Sequence, residues 1–266
     1  MNLSSILGIA AALLVLLVSV FTSTSNSKIF LNPHGILIVI GGTAAAGMLC
    51  FPIKTYLRVA TVLKNKILGN YAMRYEMVIN EIVDLAKGMR DNAEYAKNKA
   101  KSVKTPFLKD ALELMNLGGI SEESLDEILL KRAETYSKRY DHDAVVIKAL
   151  SKFPPAFGLM GTTLGMISLL QQLGGKDAQK FLGVSMALGL VATFYGIVLA
   201  NLVFIPIAEN LTAVNKEDET VRAIVIDGLR LIRKKEHPKM VEEYLKSYLL
   251  PHERSSMKAN PAAAKA

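Results

Sequence analysis

FPPAFGLMGTTLGMISLLQQLGG, residues 153–175, contains no Asp, Glu, Lys or Arg over 23 positions. A helix needs roughly 20 mostly apolar residues to span a bilayer, so this run is long enough. Three more charge-free runs accompany it: Met1–Ser27, Ile29–Ile53 and Phe181–Ala208, of 27, 25 and 28 residues. Over the whole 266 residues the chain is 51% hydrophobic, which is ordinary for a soluble domain. The segregation of charge therefore decides the class, and it excludes the evenly mixed surface of a soluble protein. The expected fold is an all-α integral membrane protein with four transmembrane helices and a large helical cytoplasmic domain. Cys50 is the only cysteine and lies in an apolar run, which excludes a disulfide-stapled secreted scaffold.

The remaining charge orients the chain. Lys54 to Lys152 holds 18 of the 32 Lys and Arg and 14 of the 24 Asp and Glu, and Glu209 to Ala266 holds 11 basic and 9 acidic residues. The two short connections hold Lys28 alone, and Lys176, Asp177 and Lys180. Flanking Lys and Arg stay on the cytoplasmic side. Lys54, Arg58, Lys64 and Lys66 follow the second run closely, so the middle block and both termini are expected inside. A cleaved signal peptide would need a positive flank ahead of its apolar core; the first Lys is Lys28, after Ile6 to Phe21, and a retained helix is expected. The net charge of +8 is largely juxtamembrane and interleaved with acids. It carries no nucleic-acid signature.

Turn and cap residues divide the chain further. Residues 1–52 read as a transmembrane hairpin whose second helix starts after Asn32-Pro33-His34-Gly35. Residues 53–152 read as a cytoplasmic helical domain. There Thr105-Pro106 offers a helix start, Gly118-Gly119 an end, and Ser121-Glu122-Glu123 another start with acids at the positive dipole end. Residues 153–208 read as a second hairpin, starting at Pro154-Pro155 and interrupted by Pro206. Residues 209–253 read as C-terminal cytoplasmic helices, broken at His237-Pro238. The tail 254–266 is small and polar and is expected to lack fixed structure.

Within the spans, small residues recur on single faces. Gly158, Thr162 and Gly165 are spaced i, i+4, i+7, and Gly189, Thr193, Gly196 and Ala200 extend the same pattern in the last run. Such faces let helices pack closely in lipid. Each also carries a threonine, whose hydroxyl can serve a cation or a water chain. No carboxylate lies within any of the four runs. Intramembrane acids mark ion pathways, so if ions pass, the carboxylate belongs to another chain. The sequence has no phosphate loop, nucleophile elbow or zinc spacing, and the Asp141-His142-Asp143 cluster reads as a solvated helix face. No enzyme, cofactor or metal site is expected.

Residues 155–165, PAFGLMGTTLG, resemble the third transmembrane signature of flagellar motor stator A subunits, the MotA/PomA family. Ala192-Thr193-Phe194-Tyr195-Gly196, Leu199-Ala200-Asn201 and Pro206-Ile207-Ala208 resemble the fourth helix of that family, and Ile6-Leu7-Gly8 and Gly41-Gly42 fit as well. The resemblance implies a ring of five A subunits around two B subunits. Each B subunit brings one transmembrane helix with an essential Asp and a peptidoglycan-binding domain. Proton or sodium flow past that Asp drives motion, and the cytoplasmic domains push the rotor's switch-complex protein. The expected partners are therefore a B-type stator subunit, the switch-complex protein, further copies of this chain and membrane lipid.

Residue by residue, the resemblance assigns Pro155 and Pro206 to the conformational cycle, Thr193 to the position beside the partner's Asp, and Thr162 to an ion-pathway position. Gly158, Gly165, Gly189 and Gly196 are the packing positions. Read from the residues alone, Pro155 serves equally as a helix start and Pro206 as a helix end. Thr162 suits sodium, whereas Ala192 stands where sodium-driven members usually have a second Thr. The ion stays open, with protons favoured. Aligning the rotor-facing region from Leu85-Ala86 puts Arg90 on its basic position; the expected acid falls on Asn98, with Glu94 one turn earlier. The Lys97 to Lys104 run is either a rotor contact or solvated. The alternative is an ExbB/TolQ-like proton-channel subunit energising outer-membrane transport, and a third reading is a membrane scaffold with no ion flow.

Overall fold

The computed structural model describes residues 3–23, 27–62, 75–91, 95–172 and 178–259. Among them the chain is helical, with no strand. It divides into two compact units: Met1–Tyr71 with Tyr140–Ala213, and Ala72–Arg139 with Val214–Ala266.

The first unit holds the apolar helices. Helix α1 is Leu3–Ser23. A 3-10 turn, Ser27–Phe30, leads to α2, Pro33–Ile36, whose Asn32 side chain accepts from the His34 and Gly35 amides at 3.1 Å each. That cap and a proline at the first position start the helix as the sequence predicts. Leu37–Gly41 then widens into a π-helical turn before α3, Gly42–Cys50. Phe51 is extended, Pro52 follows, and α4 is Ile53–Val62.

The second hairpin is α9, Phe153–Gln172, and α10, Ala178–Val198. Pro154 and Pro155 occupy the first turn of α9, where the missing amide hydrogens would have no intrahelical acceptor. Pro206 behaves differently from the expected interruption. Leu199–Phe204 is π-helical, and α11, Ile205–Arg233, continues the same rod through Pro206. The Ile205 amide reaches back five residues to the Ala200 carbonyl. A proline clashes with the carbonyl four residues before it; a π turn shifts that register and lets the helix pass without breaking.

Among the described residues, three stretches are long and apolar enough to cross a membrane: Ser27–Cys50, one within Glu122–Gln172 and one within Leu182–Arg233. The apolar part of α1, Ala10–Ser23, is shorter. The coarse expectation of an all-helical membrane protein therefore stands.

The second unit packs around a core of buried aliphatic side chains. It contains α5, Tyr75–Asp91; α6, Tyr95–Lys99; α7, Pro106–Asn116; the Glu122–Arg139 part of α8, Glu122–Leu150; the distal part of α11; α12, Pro238–Lys246; and α13, Pro251–Ala259. Ile79, Ile82, Leu85, Leu108, Leu112, Leu129, Ile224, Leu229 and Leu245 are fully buried together. Gly118 and Gly119 take φ of 70° and 74° and turn the chain between α7 and α8, a left-handed region open to glycine. Thr105 precedes α7 but does not cap it with its own side chain. The Glu81 carboxylate of α5 accepts from the Lys104 and Thr105 amides and the Thr105 hydroxyl instead. The tail expected to lack structure from Arg254 begins inside α13. Residues from 260 on lie outside the described ones.

Candidate ion pathway at the α9–α10 crossing

Helices α9 and α10 meet through their glycines. All four packing glycines named from sequence, Gly158, Gly165, Gly189 and Gly196, are buried. A Cβ on Gly158 would lie 3.0 Å from the Thr193 Cα, and one on Gly189 would lie 2.9 Å from the Thr162 Cα. A Cβ on Gly165 would stand 2.6 Å from the Ser185 carbonyl, and one on Gly196 would overlap the Pro154 carbonyl. Backbone meets backbone along this seam, which is how helices gain dispersion contacts where lipid offers no hydrophobic driving force. A glycine also admits the neighbouring hairpin, there against a side chain: the Phe157 ring covers Gly42, so closely that a Cβ would force the ring to shift.

That closeness brings four oxygens together. The Thr162 and Thr193 hydroxyls are 2.5 Å apart. Each also lies 3.2 Å from the Gly158 carbonyl and 3.2 Å from the Gly189 carbonyl. Two hydroxyls supply two protons in all, fewer than the contacts within the cluster. Acceptor lone pairs are left over, suited to a cation, a water or a protonated carboxyl. Both threonines are half-buried, so the cluster reaches the surface of the seam.

A second polar cluster, which sequence reading missed, lies further along. Ser168 and Ser185 face each other at 3.4 Å, and Gln172 donates to the Ser168 hydroxyl at 3.3 Å. The Gln172 amide oxygen is buried without a partner. From Thr162, Ser168 is six residues and about 9 Å along the axis, and Gln172 ten residues and about 15 Å. In the opposite direction the seam is closed by glycine against backbone, at Gly196 and Pro154. Polar side chains therefore lead toward one end only. The spacing of 162, 165, 168 and 172 puts them on one helical face; that was the available signal.

The two prolines attributed to conformational coupling sit on different structures. Pro155 touches the crossing, its Cα 3.1 Å from where a Gly196 Cβ would stand. Pro206 is exposed, two residues beyond the π turn. In the other unit, Arg90 is exposed in the last turn of α5, and Glu94 lies outside the described residues. The Lys97 to Lys104 run is not uniformly solvated. Lys99 pairs with Asp84, which also accepts from the Tyr95 hydroxyl at 3.2 Å. The hydrogen bond to Asp84 raises the Lys99 pKa against the opposing effect of partial burial. Lys97 and Lys101 remain exposed.

The chain has close counterparts among known proteins. Residues 99–224 match the model of the MotA/TolQ/ExbB proton channel family. Motility protein A of Aquifex aeolicus is 30% identical over 246 residues, covering 91% of this chain and 94% of that protein. Chemotaxis protein PomA of Vibrio alginolyticus is 26% identical over 249 residues, covering 94% and 96%. A chain in the structure of the flagellar MotAB stator complex from Bacillus subtilis superposes with a TM-score of 0.83 at 26% identity, covering 94% of this chain and 97% of that one. With its glycine-packed α9–α10 crossing and full-length likeness to motility proteins, the chain belongs to the MotA/TolQ/ExbB proton channel family, in its flagellar motility protein A branch.

Proposed function

We propose that this chain is the ion-channel and torque-generating A subunit of a bacterial flagellar stator. It couples ion flow across the inner membrane to rotation. The observation that carries the reading is the Thr162–Thr193 cluster, an array of hydroxyl and carbonyl oxygens in spans that contain no carboxylate. Such an array can solvate a charge but cannot titrate. A partner helix must bring the acid, which fits a B-type subunit with one transmembrane Asp and agrees with the stator complex that the Bacillus subtilis match comes from. The ExbB/TolQ alternative shares the family model, but the Aquifex aeolicus and Vibrio alginolyticus relatives are named for motility and chemotaxis.

On this reading α1 is a fourth span and both termini face the cytoplasm. Five copies surround two B subunits, and Arg90 and Glu94 meet the rotor's switch-complex protein. Ser168, Gln172 and Ser185 lead ions to the threonine pair, and the conducted ion is the proton, with sodium as the alternative. The partner's Asp, on taking up a proton, loses its charge and gains an O–H that can donate to the left-over lone pairs of these oxygens. Pro155 at the crossing and the π turn before Pro206 give the α9–α10 hairpin two places to re-pack in response. One charge crossing 100 mV releases about 2.3 kcal/mol, enough to move such a hairpin when a few ions act together. No covalent chemistry on the chain is required.

Deleting the gene tests this directly. Filaments should persist without rotating, and the wild-type gene should restore swimming. A Thr193→Leu copy should assemble with its partner yet fail to restore swimming or ion flux. Normal flux through Thr193→Leu complexes would support the scaffold reading instead.

A further inference from the structure

The first unit contains a cavity of about 490 Å³ that the ion pathway does not use. Its walls come from α3, α4, α8 and the π turn before α11, and include Thr43, Tyr56, Ile147, Leu150, Leu199 and Phe204. Ile40 and Ala44 also line it and are exposed, so it opens onto the outer surface of the unit. The lining is almost wholly apolar, with two exceptions. The Thr43 hydroxyl and the Tyr56 hydroxyl are both buried, and neither has a hydrogen-bond partner.

These two hydroxyls are anomalous in this protein. Thr22, Thr61, Thr163 and Thr212 each turn back to the carbonyl four residues earlier, at 2.7 to 3.0 Å. That is the usual solution for a hydroxyl in an apolar helix. Thr43 follows the π turn Leu37–Gly41, where the Gly42 amide donates to both the Ile38 and the Val39 carbonyls, and the Thr43 hydroxyl makes no such back-bond. Thr43 is 5% exposed, and its proton is left for something outside the helix. Tyr56 reaches the same helix face one turn on: its hydroxyl fills the space where a Gly47 Cβ would be. A buried polar group without a partner is costly, so two of them on one apolar cavity point to an occupant that accepts hydrogen bonds.

The surroundings identify its chemistry. Apolar walls exclude a charged ligand inside. Two donor hydroxyls ask for a neutral acceptor on an apolar body. Lys54 stands in the first turn of α4 and Lys152 in the turn that joins α8 to α9, at the ends of the helices whose Tyr56 and Leu150 line the cavity. Both are exposed, and neither has an ion pair among the described residues. We propose that the cavity binds one anionic glycerophospholipid from the cytoplasmic leaflet. An acyl chain fills the apolar space, an ester carbonyl accepts from Thr43 and Tyr56, and the phosphate lies toward Lys54 and Lys152. The site borders the π turn that precedes Pro206, so its occupant braces the segment that would re-pack during ion flow. That consequence rests on the stator reading; the binding itself does not.

The test uses the full chain purified with its B-type partner, delipidated in mild detergent, then exposed to vesicles of phosphatidylglycerol or phosphatidylcholine. Retained lipid is counted by mass spectrometry. Wild type should retain one phosphatidylglycerol per A chain. Ala44→Phe, which fills the cavity, should lose at least five-fold. Ala45→Phe, the same enlargement on an exposed neighbouring position outside the lining, should match wild type and control for folding. Thr43→Val with Tyr56→Phe should weaken retention several-fold, and Lys54→Gln with Lys152→Gln should abolish the preference for phosphatidylglycerol. Equal retention by Ala44→Phe and Ala45→Phe would overturn the site. So would efficient cross-linking of Ala44→Cys between A chains, which would mean that a second copy covers the cavity. The motor reading is untouched by either failure, because gene deletion tests it separately.

Discussion

The two units solve the same packing problem with opposite materials. In the second unit, large aliphatic side chains such as Ile82, Leu112 and Leu229 are wholly buried, and charge is held in pairs and networks, with Asp126 against Arg230 at 2.9 Å and Arg233 and the buried Lys246 against Glu243 at 3.0 Å. In the first, large side chains such as Leu14, Leu49, Leu159, Leu170 and Leu190 point outward, each at least 60% exposed. Its buried seam is built from glycine, alanine and hydroxyl residues. Water drives apolar groups inward; lipid does not, and leaves close backbone contact and internal hydrogen bonds as the glue. The difference teaches that burial reports function differently in the two places. A buried glycine in the membrane unit carries what a buried leucine carries in the other.

The sharpest way to break this comparison is Gly196→Ala. A methyl group here meets the Pro154 carbonyl, which is backbone and cannot move aside. The crossing should open, with loss of assembled complex and swimming reduced to the level of a deletion. Gly183→Ala on the same helix α10 has open space around it and should swim normally. Comparable swimming from the two variants would refute the glycine-seam account.

Leu229→Ala is the counterpart in the second unit. It leaves a cavity at a fully buried position and should cost about 2–5 kcal/mol of that unit's stability, read by thermal or denaturant unfolding of the full chain. A change below about 1 kcal/mol would mean that the core collapses around the gap or is not formed as described.

The smallest expected effect concerns Tyr248. Burial, then its hydrogen bond to Asp227 at 2.7 Å, push its pKa from 10 up to about 12. Folding therefore favours the neutral phenol. The stabilisation is complete below pH 10 and disappears as pH rises through 12. Tyr248→Phe should remove that alkaline loss while costing about 1 kcal/mol at neutral pH. A pH–stability profile between 9 and 12 identical to wild type would remove Tyr248 from the account.

Much of this was legible in the chain because the signals are local. Asn32-Pro33, Pro106, Gly118-Gly119 and Ser121 act through caps and φ preferences within a few residues. Each sits at a helix boundary in the structure. The interruption expected at Pro206 does not occur, because a proline's cost depends on hydrogen-bond register. A π turn absorbs a proline, and nothing in the residues Leu199–Phe204 announces a π turn. The stretch from Arg254, expected from its polar composition to lack structure, begins inside helix α13, where the Glu253 side chain accepts from the Leu250 amide and Arg254 reaches the Leu249 carbonyl. The Ser168, Gln172 and Ser185 cluster escaped because it joins two helices, and a periodicity argument sees one at a time.

By itself the sequence determined the membrane class, the absence of a carboxylate from the four charge-free runs and the glycine–threonine faces. Each follows from the free energy of placing a residue type in lipid or in water, which needs no neighbour. Tertiary structure alone decided that Thr162 and Thr193 share two glycine carbonyls, that Pro206 lies within a continuous rod, and that Thr43 and Tyr56 face an apolar cavity. Those depend on which backbones approach to within a van der Waals contact, a property of pairs of helices rather than of any residue along one.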